Sequence, residues 1–260
     1  MILDDILENK KLEVAHAKQK ISLQRLRDEA AKCPAPKDFF GAMSSAGGEI
    51  RIIAEIKQAS PSKGILSKDF DPVKIAAAYA DAGANAISVL TDAKFFKGSL
   101  EDLKNVRNTV DLPLLRKDFI IDPYQIYEAK IYGADAVLLI VAALSPGLLE
   151  ELKSEAKDLG LHTLVEVHNE QELEVALSKK CKIIGINNRD LKTFNVNMQT
   201  SIRLKSLIPH DILVISESGI ASSEDIQNLK SHGISSFLIG ESFMKSDKPK
   251  NKINELKNLA

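Results

Sequence analysis

Apolar, β-rich runs recur along the chain at intervals of roughly 20 to 35 residues, beginning near Ile52, Ala86, Pro113, Ala136, His162, Lys182, Ile212 and Phe237. Between them lie helix-like segments of the length a βαβ crossover uses. Eight such units in 260 residues favour a closed (β/α)8 TIM barrel over an open sheet or two small domains. Right-handed crossovers between parallel strands close the ring. Three helix-to-strand joints repeat one device: Gly83, Gly133 and Gly233 each fall just after a helical segment, where a left-handed cap is wanted.

Residues 1–48 follow a different pattern. Ile2, Leu3, Ile6 and Leu7, then Leu12 and Val14, then Ile21, Leu23, Leu26 and Ala30 recur at near-helical spacing among charges. That spacing predicts amphipathic helices ending before Pro34 and Pro36, a short helix over 38–43, and a break at Gly47-Gly48. The stretch has too few apolar residues for a core of its own. It is expected to be a helical N-terminal extension packed on one barrel domain that occupies residues 1–260.

Charge excludes several partners. Thirty-five basic and 36 acidic residues leave a net charge of −1, which calls for neither nucleic acid nor an anionic membrane. The start lacks the apolar region of a signal peptide, and no run approaches the ~18 apolar residues of a membrane span. Cys33 and Cys181 are the only cysteines and have neither metal-ligand nor disulfide-framework spacing. A soluble cytoplasmic protein is expected, with a monomer as its state.

Polar residues close the apolar strands again and again. Glu55 and Lys57 end the first strand, Arg51 to Ile56, on one shared face, and Ser60-Pro61-Ser62-Lys63-Gly64 follows as a loop in which Pro and Gly oppose regular structure. Arg116-Lys117-Asp118 follow 112–115, Glu166 stands within 164–167, Asn187-Asn188-Arg189 follow 183–186, and Glu217-Ser218-Gly219 follow 212–215. Any one of these could be a structural ion pair or a solvated strand end. Their recurrence at the C-terminal ends of barrel strands points to a site. Two lysines and three glutamates in a partly dry mouth would shift each other's pKa values and separate acid from base roles.

Two further groups complete the candidate site. Ser218, Gly219, Gly240 and Glu241, after the seventh and eighth strands, match the place where barrels bind phosphate, with glycine N–H groups and a helix N-terminus facing the anion. Glu241 fits only if its carboxylate is turned aside. Phe95, Phe96, Phe119, Leu138 and Leu191 could seat a flat substrate. His162 and His168 flank a strand without metal-ligand spacing, so no metal is expected.

The segments 53–62, IAEIKQASPS, and 90–99, LTDAKFFKGS, with Leu115-Arg116-Lys117-Asp118-Phe119, Ile184 to Leu191 and Ser216 to Ile220, resemble the indole-3-glycerol phosphate synthase family. The resemblance covers essentially the whole chain. It implies closure of 1-(2-carboxyphenylamino)-1-deoxyribulose 5-phosphate to indole-3-glycerol phosphate in tryptophan biosynthesis, with loss of CO2 and water. By that resemblance Lys117 is the general acid on the ribulose carbonyl, Glu166 its proton-transfer partner, and Lys57 a contact to the carboxylate or an agent of dehydration. Glu55, Asn187 and Glu217 would orient the lysines and sugar hydroxyls, and Arg189 and Ser60 would hold anionic groups. Ser218, Gly219, Gly240 and Glu241 would take the phosphate, and Phe96, Phe119, Leu138 and Leu191 the ring. No cofactor is implied, because restored aromaticity drives the decarboxylation. Two rivals stand beside this reading: a Schiff-base aldolase, which borohydride would trap as a lysine adduct, and a catalytically silent scaffold.

Overall fold

The computed structural model describes residues 2–45, 47–67, 69–246 and 249–257. The eight apolar runs form eight parallel strands: β1 Arg51–Ile56, β2 Ala86–Leu90, β3 Leu114–Lys117, β4 Ala136–Ile140, β5 His162–Val167, β6 Ile183–Asn187, β7 Leu213–Glu217 and β8 Ser236–Ile239. Each pairs with the next and β8 pairs with β1, closing the barrel. Ile53 lies opposite both Ala86 and Leu238 in the register.

Alternation along the strands makes two cores. Ile53, Leu115, Leu138, Leu164, Ile183 and Ile215 fill the barrel, while Ile52, Ile56, Ile87, Val137, Val165 and Ile184 pack under the helices. Helices α1 Ile2–Lys20, α2 Leu23–Ala30 and α3 Phe39–Met43 precede the barrel. Phe39 and Met43 of α3 close its N-terminal end, where Ser236 donates to the Met43 carbonyl at 2.8 Å. Outside the barrel run α4 Pro72–Asp81, α5 Ala93–Phe96, α6 Leu100–Arg107, α7 Pro123–Ile131, α8 Pro146–Asp158, α9 Glu170–Ser178, α10 Gln199–Lys205, α11 Ser223–Ser231, α12 Glu241–Met244 and α13 Pro249–Lys257. Asp71-Pro72, Asp122-Pro123 and Ser145-Pro146 combine a side-chain cap with a proline in the first turn.

Helices α1 and α2 lie against α7. Val14, Leu26 and Ala30 bury against Tyr124 and Tyr127, and the Tyr124 hydroxyl donates to the Ala17 and Ile21 carbonyls at 3.0 and 3.1 Å. Among the described residues no helix is long and apolar enough to cross a membrane.

Two sequence expectations need correction. Arg116, Lys117, Asn187 and Glu217, expected to follow the apolar strand runs 112–115, 183–186 and 212–215, belong to the strands themselves. An apolar run ends at its first charge, whereas the backbone ladder continues while a partner strand remains, as the pairing of Leu90 with Lys117 illustrates. The segment after β1 is also more regular than Pro61 and Gly64 suggest. Ala59–Ser60 and Gly64–Ile65 form a small antiparallel ladder, closed by the Lys63 N–H on the Ser60 carbonyl at 3.3 Å, with Gly64 at φ +66°.

The helix-to-strand joints carry more than their glycines, which have φ of +82°, +86° and +80° at 83, 133 and 233. Asp135, just past Gly133, is buried; it accepts the Leu114 N–H and the Lys37 N–H, both at 2.7 Å, and pairs with Arg107. One carboxylate thereby ties β3, α6 and the N-terminal extension together. Replacing Asp135 with Ala strands these donors and is expected to lower stability by about 3 kcal/mol, read as a fall in unfolding midpoint; an unchanged midpoint would remove Asp135 from this role.

Candidate active site

Glu55, Lys117, Glu166 and Glu217 come from β1, β3, β5 and β7, the alternate strands that supply one layer of side chains inside a barrel. Here the layer nearest the C-terminal mouth is ionic. The Lys117 ammonium stands 3.3 Å from Glu217 Oε2, 3.6 Å from Glu166 Oε2 and 3.8 Å from Glu55 Oε2. Glycines make the room: a Cβ on Gly185 would strike the Glu217 carboxylate, and one on Gly240 would strike that of Glu55. Burial opposes the charge on Lys117, but Glu217, Glu166 and Glu55 together outweigh it and hold the lysine protonated, above its ordinary range.

The three carboxylates are not equivalent. Glu55 has a second cation in Lys57, whose ammonium contacts Oε1; burial disfavours its charge, and the two lysines override burial and lower its pKa. Glu166 has His168 as a second cation, with Nε2 3.2 Å from Oε1 but without hydrogen-bond alignment, and it accepts from Asn187 Nδ2 at 3.2 Å. Against burial, Lys117 and His168 keep Glu166 ionised. Among the described residues Glu217 has only Lys117 as a cation, and neither of its oxygens makes an aligned hydrogen bond. Burial pushes it up to about 7; Lys117 pulls it back, while Glu166 and Glu55 add to the push.

Around this layer opens a cavity of about 630 Å³, lined by every residue assigned to the site from sequence except Phe95. Glu55, Lys57, Lys117, Glu166, Asn187 and Glu217 form its floor, while Ser60, Phe96, Phe119, Leu138, Arg189 and Leu191 stand around the wall. The Phe96 and Phe119 ring centroids are 6.0 Å apart at 36°. Phe95 is not in the lining; the Lys94 ammonium lies over its ring instead.

Ser218, Gly219, Gly240 and Glu241 form the opposite end. Ser218 and Gly219 are both left-handed, at φ +69° and +86°. Buried Asn188 holds that bend, donating to the Ser218 carbonyl at 3.0 Å and accepting from Ser201 Oγ at 2.8 Å. The Glu241 carboxylate is taken up by Lys245 at 2.7 Å and Arg189 at 3.4 Å, so cations offset the charge that made it an awkward neighbour for a phosphate.

Sequence reading missed several groups. Ile2, Leu3 and Ile6 bring α1 to the cavity wall, whereas Lys63, which lines it from the small ladder, already stood in a loop whose hydroxyls and lysine could meet an anion. His168 was weighed only as a metal ligand. Its position two residues beyond Glu166 puts it on the same strand face, and Asn169 caps α9 so that Glu172 returns over it. Glu172 Oε2 lies 2.9 Å from His168 Nδ1.

The sequence matches the family described as indole-3-glycerol phosphate synthase over residues 3–256. The chain belongs to the indole-3-glycerol phosphate synthase family. An indole-3-glycerol phosphate synthase of Chloroherpeton thalassium is 48% identical over 248 residues, covering 95% of both chains. One of Acetivibrio thermocellus is 48% identical over 259 residues, covering 99% of both. Among solved structures, a 3-hexulose-6-phosphate synthase overlays with a TM-score of 0.65 at 12% identity, over 81% of this chain and 99% of that one. A thiamine phosphate pyrophosphorylase of Pyrococcus furiosus gives 0.62 at 16%, over 81% and 95%. At such identities these two structures show the shared barrel alone, whereas the synthase relatives match nearly end to end.

The His168 bridge has a pH signature. Burial lowers its pKa, but Glu166 and Glu172 prevail and raise it to about 10. A raised folded value stabilises fully below the unfolded pKa, near 6.5, and that contribution is lost as pH rises through 10. The unfolding midpoint should therefore fall between pH 6.5 and 10, and fall less steeply in His168→Asn. Equal slopes in the two proteins would show that the bridge does not stabilise the fold.

Proposed function

We propose that the ionic layer of Glu55, Lys117, Glu166 and Glu217 performs the family's reaction, closure of 1-(2-carboxyphenylamino)-1-deoxyribulose 5-phosphate to indole-3-glycerol phosphate with release of CO2 and water. The observation that carries this is the Lys117 ammonium, fixed among three carboxylates beneath a cavity with an aromatic wall at one side and a left-handed glycine loop at the other.

The ring carbon bearing the carboxylate attacks the ribulose carbonyl, and an alkoxide develops. Lys117 stabilises that charge and gives the oxygen its proton. The carbon–carboxylate bond then breaks, CO2 departs, and its electron pair restores the aromatic ring. Dehydration follows: the new hydroxyl leaves as water with one added proton while a neighbouring C–H proton is removed. Glu166, kept ionised, takes that proton, and Lys57 meets the substrate carboxylate or assists the leaving hydroxyl. Glu55 and Asn187 orient Lys57 and Glu166. Glu217 positions Lys117 and, with its pKa near 7, exchanges protons with it.

The phosphate is held by the backbone of Ser218, Gly219, Gly240 and Glu241, with Arg189 and Ser60 close by. Phe96, Phe119, Leu138 and Leu191 seat the ring. A lysine kept protonated is a poor Schiff-base nucleophile, which weighs against the aldolase alternative. The reading also includes a monomer in the cytoplasm, supported by a cavity complete within one chain and by two free cysteines.

Mixing the protein with the substrate, with no cofactor added, should produce the indole chromophore; silence from a folded, phosphate-binding protein would overturn the proposal. Lys117→Ala is expected to lower kcat by about a hundredfold or more with KM largely kept, and near-normal turnover would remove it as the acid. Gly219→Asp puts a charge into the phosphate cradle; its Cβ meets the exposed Val196 side chain, and the left-handed φ of +86° adds backbone strain that the melting curve reads separately. Its expected result is a raised KM in a folded protein, measured against the melting curve; unchanged affinity would move the phosphate elsewhere.

A further inference from the structure

Lys10 lies on α1, far in sequence from the barrel, yet it is buried to 3% exposure. Its ammonium stands 2.8 Å from Asp118 Oδ1, 3.0 Å from Asp92 Oδ2 and 2.6 Å from Glu13 Oε2. Asp92 and Asp118 are themselves buried, and each fixes the backbone of one phenylalanine in the cavity wall. Asp92 Oδ1 accepts the N–H groups of Phe95 and Phe96 at 2.8 and 3.3 Å and so caps α5. Asp118 Oδ1 accepts the Phe119 N–H at 2.8 Å, while Oδ2 accepts from Thr91 at 2.6 Å and Arg116 at 3.1 Å. Among the described residues Asp92 Oδ2 has no aligned hydrogen bond, and Lys10 is the cation that faces it.

Helix α5, after β2, ends on Phe96, the segment just past β3 carries Phe119, and one ammonium bridges the carboxylates that set both. Without it, among the described residues, Asp92 loses the cation that faces it, Asp118 keeps Arg116 alone, and nothing draws the two carboxylates together.

We propose that Lys10 is a positioning residue for the aromatic half of the active site: by clamping Asp92 to Asp118 it sets the spacing of Phe96 and Phe119 that receives the substrate's carboxyphenyl ring. This rests on the reading of those two rings as the ring-binding wall. Among the described residues the ion pairs of Lys10 are with Glu13, Asp92 and Asp118 and none is with the phosphate end, after β7 and β8. Losing Lys10 therefore weakens grip on the ring and leaves grip on the phosphate.

The test is steady-state kinetics of Lys10→Met and of Lys10→Met/Asp92→Asn, which removes one carboxylate charge together with the cation and keeps an oxygen to cap α5. Competitive inhibition by inorganic phosphate is measured in each. The expected result is a KM for the carboxyphenylamino substrate raised about tenfold, kcat within about threefold, and a phosphate inhibition constant within about twofold of the parent. An unchanged KM in a folded variant overturns the proposal. So does a parallel loss of phosphate affinity, or failure of both variants to fold, since either makes Lys10 a general scaffold contact. Phe119→Ala separates the two layers of inference. If it raises KM while the Lys10 variants do not, the clamp is wrong and the ring wall stands; if it leaves KM unchanged, the ring-wall reading fails and takes the clamp with it.

Discussion

One ammonium enclosed by three carboxylates is the constraint around which the mouth of this barrel is built. Removing four ionisable groups from water costs several kcal/mol per ion, and a single lysine cannot satisfy three acids. The surrounding chain answers with geometry. Gly185 and Gly240 give up their side chains so that Glu217 and Glu55 can lie inside. Lys57 and His168 each supply a second cation to one acid. Among the described residues Glu217 receives none, and its pKa moves toward neutrality while those of Glu55 and Glu166 move away.

Strand β3 carries a second charge cluster on its other face. Lys117 points into the barrel, and its neighbour Arg116 points out beneath α7, where it donates to the Gln125 carbonyl at 2.7 Å and reaches Glu128 at 3.3 Å. Its contact with Asp118 leads on to Lys10. The period of two along a strand thus puts the reacting group on one side and its scaffolding on the other. In the proposed mechanism the inner cluster moves protons, and the outer cluster holds still the loops that receive the ring.

What the sequence made legible was what is local. Eight apolar runs, the glycine joints and the charged strand ends each signal within a few residues, and they carry the barrel and nearly the whole cavity. At Arg116, Lys117, Asn187 and Glu217 the strands run one or two residues past their apolar runs, because a charge ends the apolar pattern but not the backbone ladder. Asp135, Lys10 and Gly185 were not legible, since the partners that matter, Leu114 and Arg107, Asp92 and Asp118, and Glu217, are remote in sequence and nothing in the local pattern announces them. His168 was within reach: a histidine at two residues from a buried glutamate on a strand, followed by an Asn-x-x-Glu cap, predicts the Glu166–His168–Glu172 bridge.

The two lysines differ in how firmly they are held, and that difference assigns them unlike tasks in the proposed mechanism. Lys117 faces carboxylates from three strands, so moving it would leave buried charges uncompensated on several sides. It is fixed in place, as a group that must meet an oxygen at one stage of one bond's formation should be. Lys57 has Glu55 alone as its ion-pair partner among the described residues, and it lies past the end of β1. When a substrate carboxylate enters, Lys57 can turn toward it while Glu55 keeps the Lys117 ammonium 3.8 Å from its other oxygen. Glu55 then stays compensated whichever way Lys57 points. A carboxylate shared by two lysines from β1 and β3 lets one lysine follow the substrate and the other remain the fixed acid.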